Sequence, residues 1–405
     1  MLSPVVKRSA GLDVHKKIIV ATLQITQGLE HEAREETREF ATFDQSLKEL
    51  VQWVKEHSIE LVVMESTSVY WKRIYTLLEQ ATIKVFVVNA RHIKSVPGRK
   101  TDVMDSQWLA TIGRYGLVRG SFIPPEDLRE LRLLATYRMK LIGHLSGEKN
   151  RLHKFLDDAG IRLGNVVSDI NGVSAKAIIQ GLIDGKSIEQ MSQCARGRLK
   201  RKLPEIELAL DCPLGKRHRY LIQQIHNHIS DLETRIKKMD LYLLEAMKPY
   251  KSSWQLLQTI PGIDTISAAI LIIVIGDDMS CFGSMHKLCS WAGMCPGNNQ
   301  SAGKRKKTRT RKGNRLLRQM LCQSANAAAK TNCQFKSQYQ GFVIRRGHKR
   351  AIIALGHKIL RVVYTVLNNK QPYKDPEIDY QELLVQKNAP RWIKMLSEYG
   401  YIKTA

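Results

Sequence analysis

The sequence predicts an α/β unit followed by a mostly α remainder, and three observations carry that expectation. Residues 8–125 alternate short β-rich apolar runs with stretches of helical periodicity. Pro124-Pro125 ends the alternation. Beyond it, apolar residues recur mainly at helical spacing. At 405 residues the chain exceeds one typical core, so two or three domains are expected. The divisions we expect are an α/β unit at 8–125, a helical and heptad-bearing region at 126–250, a mainly helical basic region at 251–370 and a tail at 371–405.

Within the first unit, residues 10–14 and 18–26 are β-rich runs separated by the polar His15-Lys16-Lys17. A third, more polar strand is expected at 35–41, after the turn at Gly28. Leu47, Leu50, Val51 and Val54 then recur at helical spacing. Leu61-Val62-Val63-Met64 reads as a short buried strand that ends on Glu65. Ile74, Leu77 and Leu78 continue as a helix, Val85-Phe86-Val87-Val88 is another buried strand, and 101–115 is helical again. Three strands, then helix, strand, helix, strand, helix, is the order of an RNase-H-like (RuvC-like) domain.

After the proline pair a long helix is expected at 127–158, with Leu134, Leu141, Leu145, Leu152 and Phe155 near heptad spacing. A mixed stretch runs to about 217. Ile225, Ile229, Leu232, Ile236, Met239 and Leu243 then alternate steps of four and three, an a/d seam of nearly three heptads. Such a seam serves either a coiled coil, within the chain or between protomers, or one helix packing on its own domain. Residues 256–264, with Ile260-Pro261-Gly262-Ile263-Asp264 followed by Ser267 to Leu271, resemble a helix–hairpin–helix element. In such an element the Pro-Gly turn offers backbone N–H groups to a phosphate. Asp264 departs from the usual second glycine, and a plain helix–turn–helix packing unit is the alternative.

Charge narrows the function classes. The formal net charge is +26, and no Asp or Glu occurs between Asp278 and Asp375, an interval that holds 20 Lys and Arg. Such a chain seeks a polyanion through counterion release. No segment reads as apolar enough to span a bilayer, and residues 1–10 lack a signal-peptide core, so no membrane partner is expected. Seven cysteines form no CxxC and no Cys/His metal spacing, which fits reduced thiols and a cytoplasmic location. Trp71, Trp108, Trp254 and Trp291 follow no pattern and read as core residues rather than base-stacking platforms.

Four acids stand at element ends. Asp13 lies inside a β run, where aspartate is disfavoured; Glu65 follows a buried strand; Asp102 and Asp105, three apart, share one face of a helix start. Several carboxylates converging on Mg²⁺ suit phosphoryl chemistry, and the ends of strands and adjoining helices are rigid mounts for them. Singly, Glu65, Asp102 and Asp105 also fit as helix-start acids satisfying the dipole. Ser301 sits in a polar loop, Gly297 to Lys304, ahead of a cationic run: Lys304, Arg305, Lys306, Lys307, Arg309, Arg311 and Lys312. A serine that attacks a phosphodiester needs an exposed hydroxyl and nearby cations. Arg315 and Arg318 open the following helix and suit nucleic-acid backbone contacts.

Together these segments resemble the DEDD-type insertion-sequence transposases, the bacterial family associated with bridge-RNA-guided recombination. The resemblance runs through Gly11-Leu12-Asp13-Val14-His15-Lys16-Lys17, Met64-Glu65-Ser66-Thr67 with Tyr70, Val87-Val88-Asn89, and Lys100-Thr101-Asp102-Val103-Met104-Asp105. It continues in Ile260-Pro261-Gly262-Ile263, Gly293-Met294-Cys295-Pro296-Gly297, Ser301-Ala302-Gly303 and Lys312-Gly313-Asn314 with Leu317-Arg318. Ser68 stands where a glycine is frequent and Arg91 where a proline is frequent; neither is a proposed ligand. The resemblance implies that Asp13, Glu65, Asp102 and Asp105 bind Mg²⁺, and that Ser301 forms a transient phosphoserine link to DNA. It also implies a C-terminal transposase domain, element-end and target DNA as partners, a noncoding guide RNA, and a homo-oligomer (dimer or tetramer) built on the heptad segments. Two other readings keep parts of this pattern. One is a RuvC-like, structure-specific nuclease that uses metal-activated water; the other is a non-enzymatic nucleic-acid-binding protein.

Overall fold

Strand β1 (Arg8–Val14) is the axis of a five-stranded mixed sheet in the computed structural model. The structure describes residues 4–26, 32–65, 68–88, 102–296, 300–301, 304–305, 310, 312–376 and 380–402. On one side of β1 lies β2 (Ile18–Ile25), antiparallel to it, followed by β3 (Arg34–Ala41), antiparallel again. On the other side β4 (Leu61–Glu65) and β5 (Val85–Val88) run parallel to β1. The order β3-β2-β1-β4-β5 is compatible with an RNase-H-like domain.

The sheet is covered on both faces, which is why its central strands are buried almost throughout. Helices α1 (Asp44–Glu56) and α2 (Trp71–Gln80) bury Leu50, Val54, Ile74 and Leu78 against Leu12, Val62 and Met64. Helix α3 (Asp102–Arg114) covers the opposite face, where Leu109 and Ile112 meet Leu61, Val63 and Val88. Strand β3 is the polar edge: Phe40 alone of its side chains is buried, and the charges of Arg34 to Glu39 blunt an edge that would otherwise pair with another chain.

Residues 1–126 and 127–405 form two compact units. In the second, α4 (Glu126–Asp158) runs antiparallel to α9 (Lys216–Glu245). Four short helices, α5 (Leu163–Val166), α6 (Val173–Asp184), α7 (Ile188–Ser192) and α8 (Leu203–Leu210), close a core around Leu152, Leu156, Ile222, Ile225 and Ile229. Further along the pair, Leu141 packs on Leu232 and Ile236, with Met239 beside them. Ion pairs lock the register: Arg138 clasps Asp240 through both carboxylate oxygens, and Lys149 Nζ lies 2.9 Å from Glu233. The heptad seam of α9 is therefore filled by its own chain. Ile225, Ile229, Leu232, Ile236 and Leu243 are all buried, so the expected use of this seam between protomers finds no open surface here.

The candidate helix–hairpin–helix turn also packs inward. It joins α10 (Lys251–Gln258) to α11 (Thr265–Ile275), whose residues 267–275 are all buried. Gly262 has φ +86°, and a Cβ there would stand 2.3 Å from the Ser324 carbonyl oxygen. The turn is thus pressed against the backbone of a later helix. Asp264 is the N-cap of α11, its Oδ1 accepting from Ser267 N–H at 2.7 Å. Of the two roles open to this turn, these contacts are those of a packing unit.

The remaining helices are α12 (Met285–Trp291), α13 (Arg315–Ala328), α14 (Gln334–Arg346), α15 (His348–Asn369) and α16 (Tyr380–Glu398). Helix α15 corrects one expectation, because by length and hydropathy it is apolar enough to cross a bilayer. Half of its most apolar window is buried, and Leu355, Ile359, Leu360 and Val363 form the core on which α12, α13 and α14 pack. The four tryptophans are structural: Trp71 and Trp108 pack on the two faces of the sheet, Trp254 Nε1 donates to Thr265 O at 2.8 Å, and Trp291 meets Phe282 edge-on. All seven cysteines are free thiols.

Candidate metal centre and nucleic-acid face

The position of the acids follows from register. Leu12 pairs with Met64 across the parallel β1–β4 contact, so Asp13 and Glu65 step out next, side by side on strands about 4.8 Å apart. Leu12 and Met64 point into the core under α1 and α2. Asp13 and Glu65, one residue on, therefore belong to the face under α3. Asp13 is only 8% exposed, and Glu65 is half-buried.

Helix α3 runs antiparallel to β1 across this face. Ser9 Oγ donates to the Ala110 carbonyl at 3.0 Å, while Gly11 lies directly beneath the Ser106 carbonyl. Two strand residues, about 6.6 Å, thus match four helix residues, about 6 Å. One further step sets the backbone of Asp102 over Asp13. Asp105, in the same first turn, is exposed. The register carries the backbone of the first turn of α3 toward the sheet end where Asp13 and Glu65 stand.

This approach is possible only because residue 11 has no side chain: a Cβ on Gly11 would stand 2.0 Å from Ser106 O and 2.4 Å from Ala110 N. Hydroxyls then pin the helix. Ser106 Oγ lies 2.7 Å from Thr22 Oγ1, which in turn lies 2.9 Å from Thr37 Oγ1. Gln24 Nε2 donates to Thr111 Oγ1 and to Glu35. His15 Nε2 sits 2.9 Å from Asp13 Oδ2 and orients that carboxylate. His15, Gly11 and Ser106 were not singled out as site residues from the sequence. The Asp-x-His spacing of 13 and 15, and a glycine inside an otherwise β-rich run, were the available signals.

The acids suit a hard cation in donor type, since all four are carboxylates. Among the described residues, no three His, Cys, Asp or Glu side chains form a group that could hold a metal ion. Asp102 enters that set by its backbone position alone.

In the second unit, the stretch expected as a loop around Ser301 forms part of a β-hairpin. Strands β6 (Gln300–Ser301) and β7 (Lys304–Arg305) pair antiparallel with Ser301 opposite Lys304, and an isolated bridge joins Pro296 to Thr310 farther down. Ser301 thus occupies the last paired position of β6, with a lysine across from it. Lys306, Lys307, Arg309 and Arg311 lie outside the described residues. Lys312 and Arg315 are exposed, whereas half-buried Arg318 donates through Nη2 to Thr310 Oγ1 at 2.7 Å and tethers the hairpin base. The Gly313-Asn314 pair has local work. A Cβ on Gly313 would stand 2.2 Å from Ala292 O, and Asn314 caps α13 by accepting from Leu317 N–H.

Two of the thiols are poor nucleophiles. Burial pushes the Cys289 thiol up to about 12, and burial with the nearby Asp278 pushes Cys281 up to about 11.

Residues 10–161 match the DEDD IS110 transposase family model, and residues 254–340 match the model described as transposase IS116/IS110/IS902 family. The first match takes in the acidic face and runs on through α4; the second takes in the Ser301 hairpin and α13. A putative transposase, y4pF/y4sB, from Sinorhizobium fredii is 23% identical over 345 residues, covering 82% of this chain and 79% of its own. The transposase for insertion sequence element IS1111A from Coxiella burnetii is 26% identical over 136 residues, covering 32% of this chain and 37% of its own. The chain belongs to the IS110 family of insertion-sequence transposases. Membership implies an enzyme that binds, cuts and rejoins DNA.

Proposed function

We propose that this transposase cuts and rejoins DNA strands through a serine–DNA intermediate, with Mg²⁺ held by Asp13, Glu65, Asp102 and Asp105. The observation that supports the reading is the antiparallel register of α3 over β1, which carries the backbone of the first turn of α3 toward the sheet end where Asp13 and Glu65 stand. A bound Mg²⁺ supplies Lewis-acid neutralisation of charge on the phosphoryl oxygens. The protein's own residues do the rest. Asp13 is kept in place by its strand neighbours and by His15, and the sheet fixes its distance to Glu65 without loop motion.

Ser301 Oγ attacks phosphorus, forming an O–P bond as the bond from phosphorus to a deoxyribose oxygen breaks. The proton leaves the serine and the freed strand end carries a hydroxyl. Attack by a different strand end on the phosphoserine reverses the step, so one phosphoester replaces another and no external energy source is needed. The cationic run from Lys304 to Lys312 supplies charge along the strand path. A net charge of +26 and the acid-free interval 279–374 fit a second polyanion beside the DNA, a structured noncoding RNA that guides target choice. A homo-oligomer would need a surface other than the filled α9 seam.

The test is incubation of the purified chain with its element's flanking RNA, matching DNA and Mg²⁺, followed by a denaturing gel. A covalent protein–DNA adduct is expected with the wild type and is expected to vanish in Ser301→Ala. Cleavage with no adduct would transfer the case to a water-using RuvC-like nuclease. Cleavage and adduct unchanged in Ser301→Ala would remove Ser301 from the reaction.

A further inference from the structure

Away from the acidic face and the Ser301 hairpin, a cavity of about 220 Å³ opens between α14 and α15, with Met285 of α12 at its side. Its polar lining is Gln334 and Gln338 from α14 and Lys358, Arg361 and Thr365 from α15. Spacing explains the convergence. Gln334 and Gln338 are four apart and Lys358 and Arg361 three apart, so each pair shares one face of its helix. Arg361 Nε has only the Met285 sulfur as a described acceptor, at 3.3 Å. Neither Lys358 nor Arg361 makes an ion pair with a carboxylate among the described residues. One acid lies at the rim: Asp375 accepts from Gln334 N–H at 3.1 Å and from the Tyr373 hydroxyl at 2.9 Å. Its oxygens are thereby engaged.

The cations outnumber the one rim carboxylate, Asp375, and neither is ion-paired with it. His357 sits half-buried beside Arg361, Lys358 and His286, and burial followed by those three charges holds its pKa below the ordinary imidazole value. Gln338 lines the same wall; its Oε1, an acceptor, is buried without a hydrogen-bond partner, so only rotation of the amide about its last bond would turn the Nε2 donor into the cavity. A cavity that gathers two cations, neither of them ion-paired with a carboxylate among the described residues, is a site for an anion. Its volume admits a phosphate group, and it is the two cations rather than the size that select one. No acid occurs from 279 to 374 to compete.

We infer that this pocket seats one backbone phosphate of a nucleic acid through Lys358 and Arg361, which anchors the strand on the α14–α15 face. The inference rests on the transposase reading, and its ligand chemistry, a phosphodiester, is common to DNA and RNA. The pocket positions a strand and takes no part in the bond exchange.

Binding separates it from the catalytic reading. Fluorescence anisotropy in EDTA, with the full chain, would use three labelled probes: a random-sequence DNA duplex, a single-stranded DNA and a structured RNA. The double variant Lys358→Gln/Arg361→Gln is expected to lose tenfold or more in affinity, with the log–log salt slope smaller by about one. Lys200→Gln/Arg201→Gln, an equal charge loss at exposed residues, is expected to change affinity less than twofold. Gln338→Glu, nearly isosteric, keeps the packing and is expected to weaken binding as the double variant does. A loss confined to the RNA probe or to the DNA probes identifies the source of the phosphate. Equal small losses in pocket and control variants would overturn the inference while leaving the transposase reading intact. No binding of any probe by the wild type would overturn both.

Discussion

Replacing Asp13 with asparagine is expected to abolish DNA strand cleavage, by roughly a thousandfold or more, while the protein keeps its fold and its melting temperature. Withdrawal of charge stabilisation from a transferring phosphoryl group has an effect of that order. Asparagine preserves the volume and the hydrogen bond available to His15, which lies 2.9 Å from the Asp13 carboxylate. What it removes is the negative charge that holds a cation. Glu65→Gln is the matched change on the neighbouring strand and is expected to behave alike. Cleavage assays beside circular-dichroism melts decide the matter. Wild-type cleavage by Asp13→Asn would return the acid to the role of a buried strand residue and favour the non-enzymatic reading.

The second large effect concerns Gly11, which touches no substrate. Gly11→Ala is expected to destabilise the first unit by roughly 3 kcal/mol or more, the upper range for overpacking against atoms that cannot move aside. The added Cβ would fall 2.0 Å from Ser106 O and 2.4 Å from Ala110 N, both backbone atoms. Helix α3 would have to lift from β1, carrying Asp102 and Asp105 away from Asp13 and Glu65, so cleavage should fall with stability. Gly143→Ala is the contrast. That glycine is exposed in the middle of α4 with no atom within 4 Å of its would-be Cβ. Alanine there is expected to stabilise by about 1 kcal/mol through helix propensity alone. Thermal melts of the two variants should therefore move in opposite directions. A Gly11→Ala protein that melts with the wild type would contradict the close approach of α3.

Sequence periodicity located the sheet well because its strands are short, apolar and buried on both faces. The runs at 10–14, 61–64 and 85–88 leave little choice of element, and the structure forms β1, β4 and β5 there. Asp13 and Glu65 stood out because acids at such places cost stability unless they serve something. Pairing was less legible. The a/d seam of α9 shows that a partner helix exists, but only packing reveals that the partner is α4 of the same chain, held by Arg138–Asp240 and Lys149–Glu233. The Pro261-Gly262 turn reads equally as a phosphate loop or a packing turn, and only its close approach to the backbone of α13 shows the packing contacts. Ser301 was expected in a loop because its strand is two residues long, too short for any alternation to register. The α14–α15 pocket left no local signal, since its residues come from two helices and belong to no motif.

The central claim is that carboxylates from β1, β4 and α3 gather around one cation. Ferrous iron tests this most directly, since it replaces Mg²⁺ in oxygen-ligand sites and, with ascorbate and peroxide, cuts the polypeptide near where it binds. The expected fragments end near residues 13, 65 and 102–105 together, diminish with excess Mg²⁺ and disappear in Asp13→Asn. Cuts at only one of these segments, or cuts indifferent to Mg²⁺ and to the Asp13 substitution, would contradict the shared metal centre.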